Sequence, residues 1–268
     1  MIDTHCHLDK AEFDRDRTAV LERARDAGVE VLLVPATGPG GWDGALELAR
    51  ATPGVHAGLG IHPQILPETD PRDDDRLLAE LEERLRRGGA VAVGECGLDG
   101  PTAAAGAPMD RQLAVLDGQL AIARRLGLPV MLHALRAHEP LLALLEREGL
   151  PSGGVLHSFS GSAELVPPFA RLGLHFAFAG PATYPRAKKP LAAARAVPRE
   201  RLLLESDAPD QTPWPRHGRN EPSYLPLIAQ ALAAAVGLDA GDLEAVTTAN
   251  ARRLFRLEPA PPAGSARS

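Results

Sequence analysis

The stretch PVMLHALRAHEPLLALLEREGLPSGGVLH, residues 129–157, holds the plan of the chain in miniature. It opens on the short apolar run Pro129–Leu132. Leu141, Leu144 and Leu145 then recur at helical spacing and stop at Gly149, the residue type expected just past a helix end. A second apolar run, Gly154–Leu156, follows. Strands that are almost continuously apolar and alternate with helices imply a parallel sheet covered on both faces. Each run is closed by a histidine, His133 and His157.

The same unit recurs from end to end. Eight apolar runs are readable: Met1–Thr4, Val29–Pro35, Val55–Ile61, Ala90–Gly94, Pro129–Leu132, Gly154–Leu156, Leu174–Ala179 and Arg201–Leu204. Between them lie helical patterns such as Val20, Leu21 and Ala24 ended by Gly28, Leu77, Leu81 and Leu85 ended by Gly88, and Leu113, Leu116 and Leu120 ended by Gly127. Eight such units in 268 residues predict a single-domain α/β fold, a (β/α)8 TIM-type barrel over residues 1–256, with catalytic groups at the carboxyl ends of the strands. An open doubly wound sheet is the alternative. After the eighth run a long polar loop leads to helices around Leu225, Ile228 and Leu232 and around Leu243, Val246 and Leu254. The sequence LEPAPPAGSARS, residues 257–268, reads as a disordered tail. GPGG at Gly38–Gly41 lacks the Lys-Ser/Thr of a phosphate-cradling loop and reads as a loop before a helix.

Composition narrows the function. Apolar residues make up 44% and charged residues 24%, ordinary for a globular enzyme, and the formal charge of −6 excludes a general basic surface. Any contact with nucleic acid must then be local. No run approaches the roughly 18 uninterrupted apolar residues of a membrane span, and the start has no signal-peptide pattern, so the expectation is a cytoplasmic protein without a membrane partner. Two cysteines, Cys6 and Cys96, are too few for a disulfide scaffold.

Polar residues capable of binding a metal fall where a barrel builds its active site. His5 and His7 follow the first run two residues apart, so in extended backbone both face one way and Cys6 the other. Glu95 closes the fourth run, His133 the fifth and His157 the sixth, and Asp207 follows the eighth. A charged group at the rim of an apolar strand is best compensated by a charged partner or a metal. Six nitrogen and oxygen ligands suit two divalent ions with one bridging carboxylate. The chain has only Lys10, Lys188 and Lys189, none at the end of the fourth run, so Glu95 and no carbamylated lysine takes the bridging place.

With these residues in order, the chain resembles the TatD family of metal-dependent hydrolases, TatD-type deoxyribonucleases among the amidohydrolase-like barrels. The likeness runs through DTHCHLD, GIHPQ, VGECGLD, PVMLH, LHSFSG, GPATYP, LLLESDAP, RNEPSYL and TTANARRLF, over roughly residues 2–255. It implies that His5, His7, Glu95 and Asp207 bind one metal, that Glu95, His133 and His157 bind the second, and that Asp207 helps to activate the attacking water. The cofactors expected are two divalent ions, Mg2+, Mn2+ or Zn2+. Departures fall on the rim: Gly100 and the alanine-rich stretch after Asp99, Ser206 for the usual threonine, Ser158 for a frequent cysteine, and HALRAH after the fifth run.

The catalytic residues expected are Asp207 and Glu95. His62, closing the third run before Pro63, is a candidate for a phosphate contact or a helix-entry residue; Arg219, in the RNEP element, is a candidate phosphate contact or an ion-paired loop anchor. Asp3 or Asp9 is expected to support the histidines. Trp214 and Trp42 are candidates for stacking on bases, with ordinary packing as the alternative, and His56, His138, His175 and His217 read as solvated or packed. The expected function is a divalent-metal-dependent phosphodiesterase, a deoxyribonuclease acting on single-stranded DNA or DNA ends. Hydrolysis of a small-molecule phosphoester or amide is the alternative, and a metal-binding scaffold without turnover is a third reading.

Overall fold

The eight apolar runs form eight parallel strands in a computed structural model that describes residues 1–258. They are β1 (Ile2–Asp3), β2 (Val31–Ala36), β3 (Val55–Leu59), β4 (Ala90–Asp99), β5 (Val130–Leu135), β6 (Gly154–Leu156), β7 (Leu174–Phe178) and β8 (Leu202–Leu204). Each pairs with the next in chain order. Between β8 and β1 the seam is closed by single bonds: the Thr4 N–H donates to the Leu204 carbonyl at 3.0 Å and the Asp207 N–H to that of His5 at 2.8 Å. The sheet is therefore the expected barrel and not an open doubly wound sheet.

Helices α1 (Arg17–Asp26), α2 (Pro39–Ala51), α3 (Asp74–Arg86), α4 (Gly100–Ala104), α5 (Met109–Leu126), α6 (His138–Glu148), α7 (Val166–Arg171) and α8 (Lys188–Ala196) connect the strands, and α9 (Leu225–Val236) and α10 (Ala240–Phe255) follow the last. Gly127 caps α5 in the left-handed conformation as the sequence predicts, and Gly237 caps α9 in the same way. GPGG differs from the expectation. Helix α2 already begins at Pro39, a residue whose fixed φ suits the first helical position, so most of that stretch is helix and not loop.

Strand alternation divides the core in two. Ile2, Val31, Leu33, Ala92, Met131, Val155, Ala177 and Leu203, from every strand but β3, fill the barrel interior with Leu254, Phe255 and Leu257 of the C-terminal segment packed against them. Burial of each of Leu33, Met131 and Leu203, all fully covered, contributes about 1.5–3 kcal/mol. Leu32, Val34, Leu132, Leu156, Phe176 and Leu204 pack on the helices instead. Asn250 of α10 donates through Nδ2 to the carbonyls of Arg199 and Leu202 at 2.8 and 2.9 Å, which ties the TTANARRLF element to the start of β8. Leu257 is buried, so the described chain stays packed one residue into the expected tail; residues 259–268 lie outside the described residues. Among the described residues no single helix is long and apolar enough to cross a membrane.

His175 in β7 is buried with both ring nitrogens unpartnered. Burial, helped by Arg201 and Arg253, pushes its pKa down to about 4. Below pH 6.5 the unfolded chain takes up a proton that the folded chain refuses, so His175 costs stability as pH falls, approaching ~1.4 kcal/mol per pH unit until the folded ring titrates. Thermal melts of His175→Leu and the parent chain, compared between pH 7.5 and pH 4.5, should diverge as pH falls, with the variant the more acid-stable; parallel curves would contradict this.

Candidate metal centre

Glu95 reaches the mouth of the barrel through a bulge in β4. Val93 pairs with Val130 and Cys96 with Leu132, so three steps along β4 match two along β5. Val93 and Cys96 both face the helices. Regular alternation would turn Glu95 to that side as well; the extra residue turns it into the barrel. Gly94 makes the bulge possible, because at its φ of 150° a Cβ would stand 2.6 Å from Met131 Cβ and from the Met131 carbonyl oxygen. β4 then continues to Asp99, past the end expected at Gly94. β1, by contrast, stops at Asp3, and the chain bends at Thr4 before His5 and His7 emerge with Cys6 buried behind them.

Two sets of histidines face the two oxygens of Glu95. His5 Nε2 and His7 Nε2 lie 3.3 and 3.4 Å from Oε2 and 3.3 Å from each other. Both are 3.7 Å from Asp207 Oδ1. On Oε1, His157 Nε2 stands at 2.9 Å, His62 Nε2 at 3.2 Å and His133 Nδ1 at 3.3 Å, with His133 Nδ1 and His157 Nε2 3.2 Å apart. Burial alone would raise the pKa of Glu95, but the pull of His62, His157 and His5 outweighs it and holds the carboxyl ionised.

These spacings fit cations. Two donors about 2.1 Å from one ion in tetrahedral arrangement stand about 3.4 Å apart. The Oε2 set and the Oε1 set both match, and nitrogen-rich sets of this kind suit zinc-like ions better than magnesium. The carboxylates behind the rings also fit, one as a hydrogen bond and one at ion-pair distance. His133 turns Nε2 to Asp99 Oδ2 at 3.1 Å, and His157 turns Nδ1 toward Glu205 Oε1 at 3.5 Å, so a carboxylate backs one histidine of the second set after another. Asp99 also accepts from the Thr102 N–H at 2.7 Å, and its carboxyl is held below the usual range because His133 and Thr102 outweigh burial.

Further bonds fix the rest. Asp3 accepts from the His5 N–H at 3.2 Å, the Ser206 N–H at 2.9 Å and the Ser206 hydroxyl at 2.6 Å, tying β1 to the Asp207 segment, while burial pushes it up to about 7. Asp207 has φ 55°, and its Oδ2 accepts from Gln211 Nε2. Gln211 Oε1 in turn accepts from the Ser158 hydroxyl at 2.8 Å. Asp99, Glu205 and Gln211 carry no spacing signal that marks them as partners of the histidines; only the fold brings them there.

His7, His62, Glu95, His133, His157 and Asp207 thus line a cleft of about 430 Å³ together with Lys10, Gln64, Leu135 and Gln211, and His5 lies buried behind them against Glu95. Arg219 does not join them. Its guanidinium holds both Asp16 oxygens at 2.8 and 2.7 Å, donates to the Glu12 carbonyl and lies 4.6 Å from the centre of the Phe13 ring, the anchor reading of the RNEP element. Asn220 and Glu221 bond to the Ser206 carbonyl and to Arg23. Trp42 is buried and donates to the Gly60 carbonyl at 2.8 Å. His138 packs on Phe159, His175 is buried, His56 is half-buried and His217 is exposed. Both cysteine thiols are buried, which pushes their pKa values up.

The sequence profile described as TatD related DNase matches residues 2–256. The chain belongs to this family. A protein of Edwardsiella piscicida named 3'-5' ssDNA/RNA exonuclease TatD is 39% identical over 266 residues, 96% of this chain and 100% of its own length. The uncharacterized metal-dependent hydrolase YabD of Bacillus subtilis is 35% identical over 96% of this chain and 99% of its own. The crystal structure of the TatD homologue YjjV of Escherichia coli K12 superimposes with a TM-score of 0.89 at 36% identity, covering 96% of this chain and 98% of that one.

In this TatD-family chain, Asp99→Asn leaves His133 in place but removes the charge behind it. Calorimetric titration with Zn2+ should then show one binding event weakened about 10–100-fold and the other unchanged. Equal weakening of both, or of neither, would contradict the assignment of Asp99 to one set.

Proposed function

We propose that the chain is a two-cation phosphodiesterase that removes nucleotides from the ends of single-stranded nucleic acid. The observation that carries this reading is that the two oxygens of Glu95 face two separate sets of histidines. His5, His7, Glu95 and Asp207 would hold one divalent ion and Glu95, His133 and His157 the other. Bound there, such ions neutralise the non-bridging oxygens of a phosphodiester and lower the pKa of a bound water.

The chain supplies the rest. Asp207 turns one oxygen to the cleft while Gln211 holds the other, so it is placed to orient the attacking water and take its proton. His62 Nδ1 accepts the Gln64 N–H at 3.2 Å, which leaves the ring proton on Nε2, at the cleft wall and 3.2 Å from Glu95 Oε1. A nitrogen that carries a proton donates to a phosphate oxygen and does not ligate a cation, so His62 is assigned to the substrate and not to the second ion. The cleft of about 430 Å³ lies toward the small end of ligand sites, which run from about 300 to 1,000 Å³, and suits a strand end. The relatives named as 3'-5' exonucleases of single-stranded DNA and RNA, matched over nearly their whole length, support the same substrate class and release from the 3' end.

The test is nucleotide release from single-stranded and duplex oligonucleotides, with a panel of small phosphoesters and amides beside them. The chain loaded with Zn2+ or Mn2+ should release mononucleotides from single strands and lose this in a chelator. Asp207→Asn should lower turnover by about 10²–10⁴-fold. Full activity of the variant would refute the role of Asp207, and turnover of small substrates alone would refute the nuclease reading.

A further inference from the structure

We propose that the loops following β7 and β8 form a stacking track for the single strand behind the nucleotide being released, an inference that rests on the nuclease reading above. Among the described residues, the exposed large apolar side chains are Leu135, Tyr184 and Trp214, at 36, 47 and 46% exposure. Single exposed apolar residues are ordinary, but these three all stand at the carboxyl ends of strands, around one mouth. The two segments that carry Tyr184 and Trp214 are bonded to each other. The Tyr184 hydroxyl donates to the Thr212 carbonyl at 3.1 Å, and the Trp214 N–H donates to the Thr183 hydroxyl at 2.7 Å. Gln211, three residues before Trp214, lines the cleft, so the aromatic pair adjoins it.

Charge points the same way. The segments 184–190 and 214–219 contain five cations and no acid, in a chain of net charge −6. Arg219 is spent on Asp16. Arg186, Lys188, Lys189 and Arg216 are exposed, and among the described residues none has an acidic group within ion-pair distance; Arg216 lies 5.1 Å from the centre of the Tyr224 ring, and the other three have no aromatic partner of this kind. Exposed arginines elsewhere are either paired, as Arg72 is with Asp70, or unpaired singly, as Arg15, Arg50 and Arg171 are; here four unpaired cations gather in two segments beside the exposed aromatics. Between cleft and track lies an apolar recess of about 210 Å³ walled by Phe159, Phe178 and Pro190, with Lys189 at its edge, sharing Ser158 and Ser160 with the cleft. Aromatic faces alternating with free cations are what a single strand needs, because bases stack without regard to sequence and phosphates follow the charge. A strand entering the cleft would pass from Trp214 and Tyr184 over Lys189 to the recess.

The experiment compares a thymidine dinucleotide with a thymidine octamer. In the parent chain KM should be lower for the octamer, and Trp214→Ala with Tyr184→Ala should shrink that gap about tenfold while kcat on the octamer holds. Lys188→Ala with Lys189→Ala should flatten the dependence of log KM on log salt by about 0.7 per lysine. With a chelator present to stop turnover, the octamer should quench the fluorescence of exposed Trp214 above the constant signal of buried Trp42. Cleavage of the octamer with the gap unchanged in the variants overturns the track and leaves the nuclease reading standing. Quenching without cleavage overturns the nuclease reading and supports the track as a strand-binding surface. Neither cleavage nor quenching overturns both.

Discussion

A carboxylate with 2% of its surface exposed, Glu95, is the constraint on which the site depends. Burying such a charge is costly unless positive charge meets it, and here each oxygen meets its own set of imidazoles. His5 and His7 come from the segment after β1, His62 from that after β3, His133 from β5 and His157 from the end of β6. One side chain therefore gathers most of the circumference of the barrel. The backbone arrangement that delivers it, one added residue in β4 and a glycine pressed against Met131, has no tolerance for a side chain at position 94.

The barrel was legible because its signal is periodic: each strand is a short apolar run, the helices between them have apolar faces, and several, such as α5 and α6, end at a glycine. All eight strands lie where the runs lie, and boundaries shift by a few residues. The largest shift, the continuation of β4 to Asp99, comes from the bulge, which apolar patterning does not register. The positions of His133 and His157 in the cleft were legible because each directly follows an apolar run. His5 and His7 share a face as alternation predicts, although the strand itself ends before them at Asp3.

Residues that act on the histidines from behind were not legible. Asp99 and Glu205 sit 34 and 48 residues from His133 and His157. Their roles depend on which strands are neighbours and on ring orientation. Asp3 was legible in part, as support for the first-strand histidines, but its bonds to Ser206 belong to the seam between β8 and β1. Arg219 was the reverse case. The RNEP element joins loop to helix through Asp16, Arg23 and the Ser206 carbonyl, and a sequence motif does not distinguish an arginine that holds a loop from one that holds a phosphate.

The claim that joins these parts is that Glu95 is shared by two cations. Metal content after equilibrium dialysis against Zn2+, measured on the parent chain and on Glu95→Gln with circular dichroism as the check on folding, tests it directly. Two ions per parent chain and none retained at the same free concentration by a folded Glu95→Gln is the predicted result. One ion per parent chain, or a variant that keeps either ion at parental affinity, would contradict it.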